Sequence, residues 1–234
     1  MNNGLLDLFI VILAGVVHAM LQLGISALLL LYHASLGKDI KKKTRELTLN
    51  FILGFSLFTG LAVSSICFFI LVIFGGAMPV VGMIILAIAL IVMASFVWLV
   101  YYRRKSSGTE LWIPRSFARF VSARAQKTTD NVESFSLGML IACAEVPFAA
   151  MLMITAGNSI VNMPQSLQII SVLVYVILAA APMWICQLSV RYGDTIVDVQ
   201  KWRVRNKEFF KVMGGVGFIT LAIFILAFEV LGNV

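Results

Sequence analysis

The stretch MLIACAEVPFAAMLMI places Glu145 and, two residues later, Pro147 inside an otherwise apolar run. An ionised carboxylate facing lipid at mid-depth costs ~3 kcal/mol or more, so Glu145 must face the protein interior, either protonated or paired. Proline removes an amide proton and clashes with the carbonyl four residues back, which opens the helix beside the carboxylate. The pattern predicts a site for a proton, a cation or a substrate amine. A protonated Glu145 that only hydrogen-bonds a neighbouring helix is the alternative.

His18 and Gln22 lie one helical turn apart near the middle of the first apolar segment and share a face. An offset of 123 residues sets Gln22 opposite Glu145 and Gly24 opposite Pro147. We predict that Glu145, His18 and Gln22 form a substrate or ion site, with His18 as a second ligand or a proton relay. We also predict that Pro147 and Gly24 break their helices. For His18, a hydrogen-bonded packing role is the alternative.

Six apolar blocks must position these side chains, and each is close to or above the ~20 residues that an α-helix needs to cross a bilayer. We predict spans over roughly 5–35, 49–75, 79–102, 134–159, 166–190 and 210–232. The chain is 61% hydrophobic and only 12% charged, which favours the same interpretation. The predicted fold class is therefore all-α, a polytopic membrane protein with one transmembrane domain over 1–234.

Three crossings on each side of a connection give the two halves opposite orientations in the bilayer. The halves are 1–102 and 134–234, and the connection between them is 103–133. If the halves are related, six transmembrane helices form a 3+3 inverted repeat.

All 18 lysine and arginine residues fall in the segments 36–50, 103–127 and 191–211. The positive-inside rule places these segments in the cytoplasm and both termini outside. The membrane that we expect is a prokaryotic cytoplasmic (inner) membrane. The net charge of +7 then indicates topology and attraction to anionic lipid headgroups, and nucleic acid is not an expected partner. Asp7 and Glu229 are close to the outer ends of their spans, and we expect them to be solvated.

Two of the basic segments are amphipathic. Pro114 can begin a helix with Phe120 and Val121 on one face, and 196–211 places Trp202 in a similar basic surround. We expect both segments to lie along the cytoplasmic interface. A docking helix for a protein partner is the alternative.

Enzyme motifs are missing from the sequence: it has no HExxH, phosphate-binding loop or GxSxG, and only two histidines. Cys67, Cys143 and Cys186 fall inside predicted spans and form no CxxC pair. We expect no enzymatic activity, no metal and no cofactor. The first apolar run is too long for a secretory signal, so we expect it to be retained as a helix.

The layout resembles the superfamily that joins lysine exporter (LysE) transporters, cadmium and nickel/cobalt exporters, and thiol-electron carriers of the CcdA/DsbD type. The resemblance is carried by two three-helix halves, by FSLGMLIACAEVPFAAMLMITAG and by FFKVMGGVGFITLAIFIL. It implies a six-helix inverted-repeat transporter. The electron-carrier branch implies a cysteine in both the first and fourth spans, and here only the fourth has one, Cys143, which disfavours electron transfer. The His-rich or acidic loops common in the metal exporters are also missing.

The leading hypothesis is a membrane transporter that exports a small solute or cation, coupled to protons, by alternating access around a mid-membrane site. The second hypothesis is a membrane scaffold or assembly subunit of a larger complex. Its cytoplasmic connections would bind a protein partner or a second copy of the chain.

Overall fold

The computed structural model describes residues 3–21, 23–34, 40–101, 115–192 and 196–231. Within these ranges every regular element is a helix. Along the chain they are α1 (Asn3–Ala19), α2 (Leu23–Ala34), α3 (Ile40–Phe74), α4 (Val80–Phe96), α5 (Arg115–Lys127), α6 (Asn131–Asn162), α7 (Gln165–Tyr192), α8 (Ile196–Arg205) and α9 (Lys207–Phe224). Two π-helical turns, Val97–Tyr101 and Ile225–Val230, continue α4 and α9.

Five described stretches are long and apolar enough to cross a membrane. They are Lys43–Phe74, Val80–Val100, Asn131–Asn162, Gln165–Ser189 and Lys207–Val230. Large apolar side chains on these stretches are exposed, among them Phe68, Ile85 and Ile169, as expected for helices that face lipid. The prediction of an all-helical chain with several apolar helices is confirmed. The largest difference in a boundary is at α3, which begins at Ile40 instead of about residue 49.

The first apolar segment, predicted over 5–35, is two helices, and the interruption lies just before Gly24, the position at which the sequence predicts a break. The first part, α1, has 17 residues and ends at Ala19, and α2 has 12 residues and begins at Leu23. Local sequence does not explain the interruption, because methionine, leucine and glutamine are good helix formers. The two parts have different neighbours. Both pack against α6 and α7, but α1 also contacts α9, whereas α2 also contacts α3, α5 and α8.

The most extensive helix contact joins α3 and α6, which run parallel. Near one end of the contact the Ser134 hydroxyl donates a hydrogen bond to the Leu47 carbonyl (2.6 Å). Near the other end the Cys67 thiol approaches the Gly157 carbonyl (3.7 Å). The contact therefore extends over most of the length of both helices.

Two glycines bring the backbones of α3 and α6 together. A Cβ atom on Gly54 would overlap the carbonyl oxygen of Phe135, and one on Gly138 would overlap the carbonyl oxygen of Phe51. Small residues allow membrane helices to approach in this way, and dispersion contacts then hold them together. A side chain at either position would force the two helices apart.

Buried apolar residues form two clusters. The first cluster, called the α1 core, contains the buried residues of α1, α4 and α9. The second, called the α2 core, contains those of α2 and α5, and both clusters include residues of α3, α6 and α7. On α3, Phe55 belongs to the α2 core and Val63 to the α1 core, and the fully buried Thr59 lies between them. Glu145 occupies the corresponding gap on α6. A layer that contains buried polar side chains thus separates the two cores.

The amphipathic helices α5 and α8 both pack against α2. The end of the bundle at which they lie is called the basic end below. Val121 and Ala125 of α5 are buried in the α2 core, whereas Phe120 is 52% exposed. Pro114 lies outside the described residues, directly before the first residue of α5. Through these contacts α5 and α8 pack onto the rest of the bundle.

Asp7 is only 3% exposed, so the expectation that it is solvated is wrong. The start of α1 packs against the end of α9, where the rings of Phe9 and Phe224 are 5.3 Å apart. This packing covers the Asp7 side chain. Glu229, on the π-helical turn after α9, is partly buried.

Candidate functional site

The interruption between α1 and α2 lies inside the protein, near the middle of the first apolar segment. Two backbone hydrogen bonds between residues three apart form the turn that ends α1. The amide of Met20 donates to the carbonyl of Val17 (3.1 Å), and the amide of Leu21 donates to the carbonyl of His18 (3.0 Å). Non-helical backbone at membrane depth is tolerated only where protein or a wet cavity surrounds it. The interrupted backbone between α1 and α2 therefore needs surrounding protein or a water-filled cavity to satisfy its polar groups.

Gly24 lies just after this interruption, as the second residue of α2, so the helix is broken before it and not at it. A Cβ atom on Gly24 would approach the Met183 sulfur to 3.0 Å and the Phe55 ring to 3.2 Å. The glycine thus allows the start of α2 to pack closely against α7 and α3.

His18, in the last turn of α1, meets Glu145 of α6. The His18 Nε2 and Glu145 Oε2 atoms are 3.4 Å apart, and each residue is only 2% exposed. Nε2 makes no hydrogen bond to any described atom. A separation of 3.4 Å exceeds the usual 2.7–3.2 Å of a hydrogen bond, so a small movement of either side chain would complete one.

Tyr175 of α7 holds the other side of the same imidazole. Its hydroxyl oxygen is 2.9 Å from His18 Nδ1, and the residue is fully buried. Sequence reasoning did not select Tyr175. Its only signal in the sequence is weak: a tyrosine near the middle of an apolar span, whose hydroxyl needs a partner when it is buried.

The three side chains form a row in which His18 is the centre. A neutral imidazole has one donor and one acceptor nitrogen, and a protonated imidazole has two donors. If the Tyr175 hydroxyl donates to Nδ1, then Nε2 carries the proton and directs it toward Glu145. A second proton in the site can reside on Glu145 or on His18. The row can therefore take up, hold and release a proton.

A small cavity adjoins the His18–Glu145 pair. Its volume is about 10 Å³, which is room for about one water molecule. The lining consists of His18, Ala19, Gly24, Ile25, Phe55, Glu145, Ala179, Pro182 and Met183. Several of these residues belong to the α2 core, so the cavity lies on the basic side of the pair. In this conformation the site has space for water or a proton and not for an organic solute.

Pro147 does not line this cavity, and α6 is helical on both sides of it. Its side chain is exposed, so the break predicted at Pro147 is not present as a helix end. The proline at the cavity is Pro182 of α7, which sequence reasoning did not select. It removes an amide proton from α7 at this level.

Thr59 lies in the same polar layer, and its buried hydroxyl has no hydrogen-bond partner among the described atoms. Gln22 is outside the described residues, so its part in the site stays a prediction. Within the described ranges no three His, Cys, Asp or Glu residues lie close enough together to hold a metal ion.

No protein-family model, curated protein or solved structure matches the chain. What the site can do follows from its own geometry and chemistry.

Proposed function

We propose that the protein is a proton-coupled transporter that exports a small solute or cation through a site near mid-membrane. One observation carries the proposal: a membrane helix is interrupted next to a buried His18–Glu145 pair and a cavity. Interrupted helices whose ends meet at a polar site are typical of secondary transporters, because the free backbone groups there bind ions and the loose joint permits rearrangement.

In the proposed mechanism Glu145 carries the proton or binds a cationic group. His18 relays the proton and Tyr175 orients the imidazole, while Gln22 completes the site. Because the cavity holds only about one water molecule, solute entry requires the start of α2 to move away from α7 and α3. A change in the proton on Glu145 changes the charge of the site and so favours one conformation over the other.

The proposal includes a 3+3 inverted repeat, in which α1 with α2 corresponds to α6, α3 to α7, and α4 to α9. Exchanging these counterparts maps each extensive contact between spans in the described ranges either onto itself, as for α4–α9, or onto another such contact. The α3–α6 contact becomes the α1–α7 contact, α1–α9 becomes α4–α6, and α2–α3 becomes α6–α7. Both α4 and α9 also end in a π-helical turn. This exchange symmetry supports related halves, and with them the resemblance to the LysE and CcdA/DsbD superfamily.

The proposed topology has six crossings, with the basic end in the cytoplasm and both termini outside a prokaryotic inner membrane. Exposed cations at that end, including Arg119, Arg124, Lys201 and Arg205, suit contact with anionic lipid headgroups. The first crossing then consists of α1 and α2 together.

The test is transport into inside-out vesicles under a pH gradient, with labelled amino acids, primary amines, and monovalent and divalent cations tried in turn. We expect Glu145→Gln to abolish gradient-driven uptake of the transported probe, because the amide cannot exchange a proton. Glu133→Gln is the matched control. Glu133 is on the same helix, but it is partly exposed and 3.9 Å from the exposed Arg124, so its loss should leave uptake unchanged. Unaltered pH-dependent uptake by Glu145→Gln would remove Glu145 from the mechanism.

The second candidate function is that of a membrane scaffold. It is favoured by exposed aromatic side chains beside cations at the basic end, where Phe120 is 52% and Trp202 is 49% exposed. A scaffold predicts stoichiometric co-purification of another protein in mild detergent, lost on charge reversal of Arg115, Arg119 and Arg124, while Glu145→Gln has no effect.

A further inference from the structure

Arg203 of α8 reaches from the basic end to the start of α2. Its Nη1 atom donates a hydrogen bond to the Ser26 hydroxyl at 2.9 Å, and the contact is partly buried. Arginine stays charged at every working pH, and hydrogen bonds from charged donors are among the stronger ones in proteins. The partner is separated from Arg203 by 177 residues of sequence, so the bond joins two distant parts of the chain.

Ser26 occupies a sensitive position. It is the fourth residue of α2 and follows Gly24 and Ile25, both of which line the cavity. The bond from Arg203 therefore fixes the part of α2 that would have to move for the cavity to open. His18, Glu145 and Tyr175 lie on other helices and do not hold α2 in this way.

Helix α8, which carries Arg203, also contacts α7. Cys186 is 2% exposed and lies one helical turn beyond Pro182 and Met183, which line the cavity. Helix α8 thus contacts both α2 and α7 on the basic side of the site.

We propose that Arg203 is a positioning residue that latches the start of α2 against α7 and closes the cavity toward the basic end. Breaking the Arg203–Ser26 bond is the step that admits water to the His18–Glu145 pair from that side. The proposed latch depends on the proposed function in one respect: release of the latch is taken to be a step of transport. Closure itself is a property of the fold and can be measured without a substrate.

Cys186 is a native reporter for this closure. In a Cys67→Ser, Cys143→Ser background it is the one remaining cysteine of the sequence. Its reaction with a membrane-impermeant maleimide is measured in inside-out vesicles, which expose the basic end in the proposed topology. We expect Arg203→Gln and Ser26→Ala each to increase the labelling rate about tenfold, because losing a hydrogen bond to a charged group raises the open population by about that factor.

Arg205→Gln is the matched control, since Arg205 is an exposed arginine two residues further along the chain. It should leave the rate unchanged. Ser26→Ala removes the same bond from the other side without changing charge or the packing of α8, so it separates latch release from damage to α8. The double variant Arg203→Gln, Ser26→Ala should react no faster than either single variant.

Unchanged labelling in Ser26→Ala and Arg203→Gln would overturn the latch, and so would an equal increase in Arg205→Gln. These outcomes are separate from the transport test. Faster labelling together with normal transport by Glu145→Gln would retain the latch and reject the proposed function. Unchanged labelling with transport lost in Glu145→Gln would do the reverse.

Discussion

At the scale of residues, the row formed by His18, Glu145 and Tyr175 is buried on all sides. The cavity beside His18 and Glu145 has room for about one water molecule, but Tyr175 does not line it. Loss of the Tyr175 hydroxyl therefore leaves a buried imidazole nitrogen unsatisfied, at a cost of about 1–3 kcal/mol. The members of the row can be tested one by one.

Tyr175→Phe removes only the hydroxyl that meets His18 Nδ1. We expect the free energy of unfolding to fall by about 1–3 kcal/mol, because the imidazole nitrogen is left buried without a partner. Thermal unfolding in detergent measures the change. A variant as stable as the parent would show that the Tyr175 hydroxyl does not hold the imidazole.

The His18–Glu145 pair permits a double-mutant test. Either His18→Leu or Glu145→Leu alone should destabilise the protein, because one ionisable group is left without its neighbour. The double variant should be more stable than at least one single variant, since two apolar side chains of similar volume can pack together. It should still be inactive in transport. Additive losses of stability would argue against direct coupling of the two groups.

Sequence predicted part of this row for a simple reason. Glu145 and His18 stand out in apolar runs and must turn inward, and the structure brings them to 3.4 Å. Tyr175 and Pro182 were missed because both are common in apolar spans and have little signal until their neighbours are known. The place where a side chain finds its partner depends on tertiary packing, which one helix does not specify.

At the scale of elements, the crossing of α3 and α6 depends on two glycines. We expect Gly54→Ala and Gly138→Ala each to destabilise the protein by about 1–3 kcal/mol, because the added methyl group would overlap a backbone carbonyl that cannot rotate away. Thermal unfolding in detergent again gives the measurement.

Gly60→Ala, on the same helix as Gly54, is the matched control. Its Cβ atom would lie 3.5 Å from a methyl group of Val176, an ordinary contact. Alanine is also the better helix former by up to ~1 kcal/mol, so the variant should be as stable as the parent or more so. Equal losses in Gly54→Ala and Gly60→Ala would contradict a specific close approach.

The break in the first segment shows the limit of local signals. Apolar length identified the segment, and Gly24 predicted a break close to the observed interruption, whereas the residues at the interruption itself favour a helix. The interruption is explained only by the different surroundings of α1 and α2. The amphipathic helix α5 was predicted from its sequence pattern, whereas the surface that it covers was not.

At the scale of the whole molecule, the segregation of lysine and arginine predicts the topology. Single cysteines introduced at Gly4 and at Leu231, which is 71% exposed, should react with an impermeant maleimide only in right-side-out vesicles. A cysteine at the exposed Lys127 should react only in inside-out vesicles. Labelling of the first two positions from opposite sides would exclude an even number of crossings, and with it the inverted repeat.

The close contact of α3 and α6 restricts how the molecule can change shape. The first helix belongs to the first half of the chain and the second to the other half, yet their backbones touch between Gly54 and Phe135. If the two halves moved apart as rigid units, the close packing of α3 against α6 and its dispersion contacts would be lost. We therefore expect single helices to move relative to the packed pair α3 and α6. The interruption between α1 and α2 is the nearest point at which such a movement can occur.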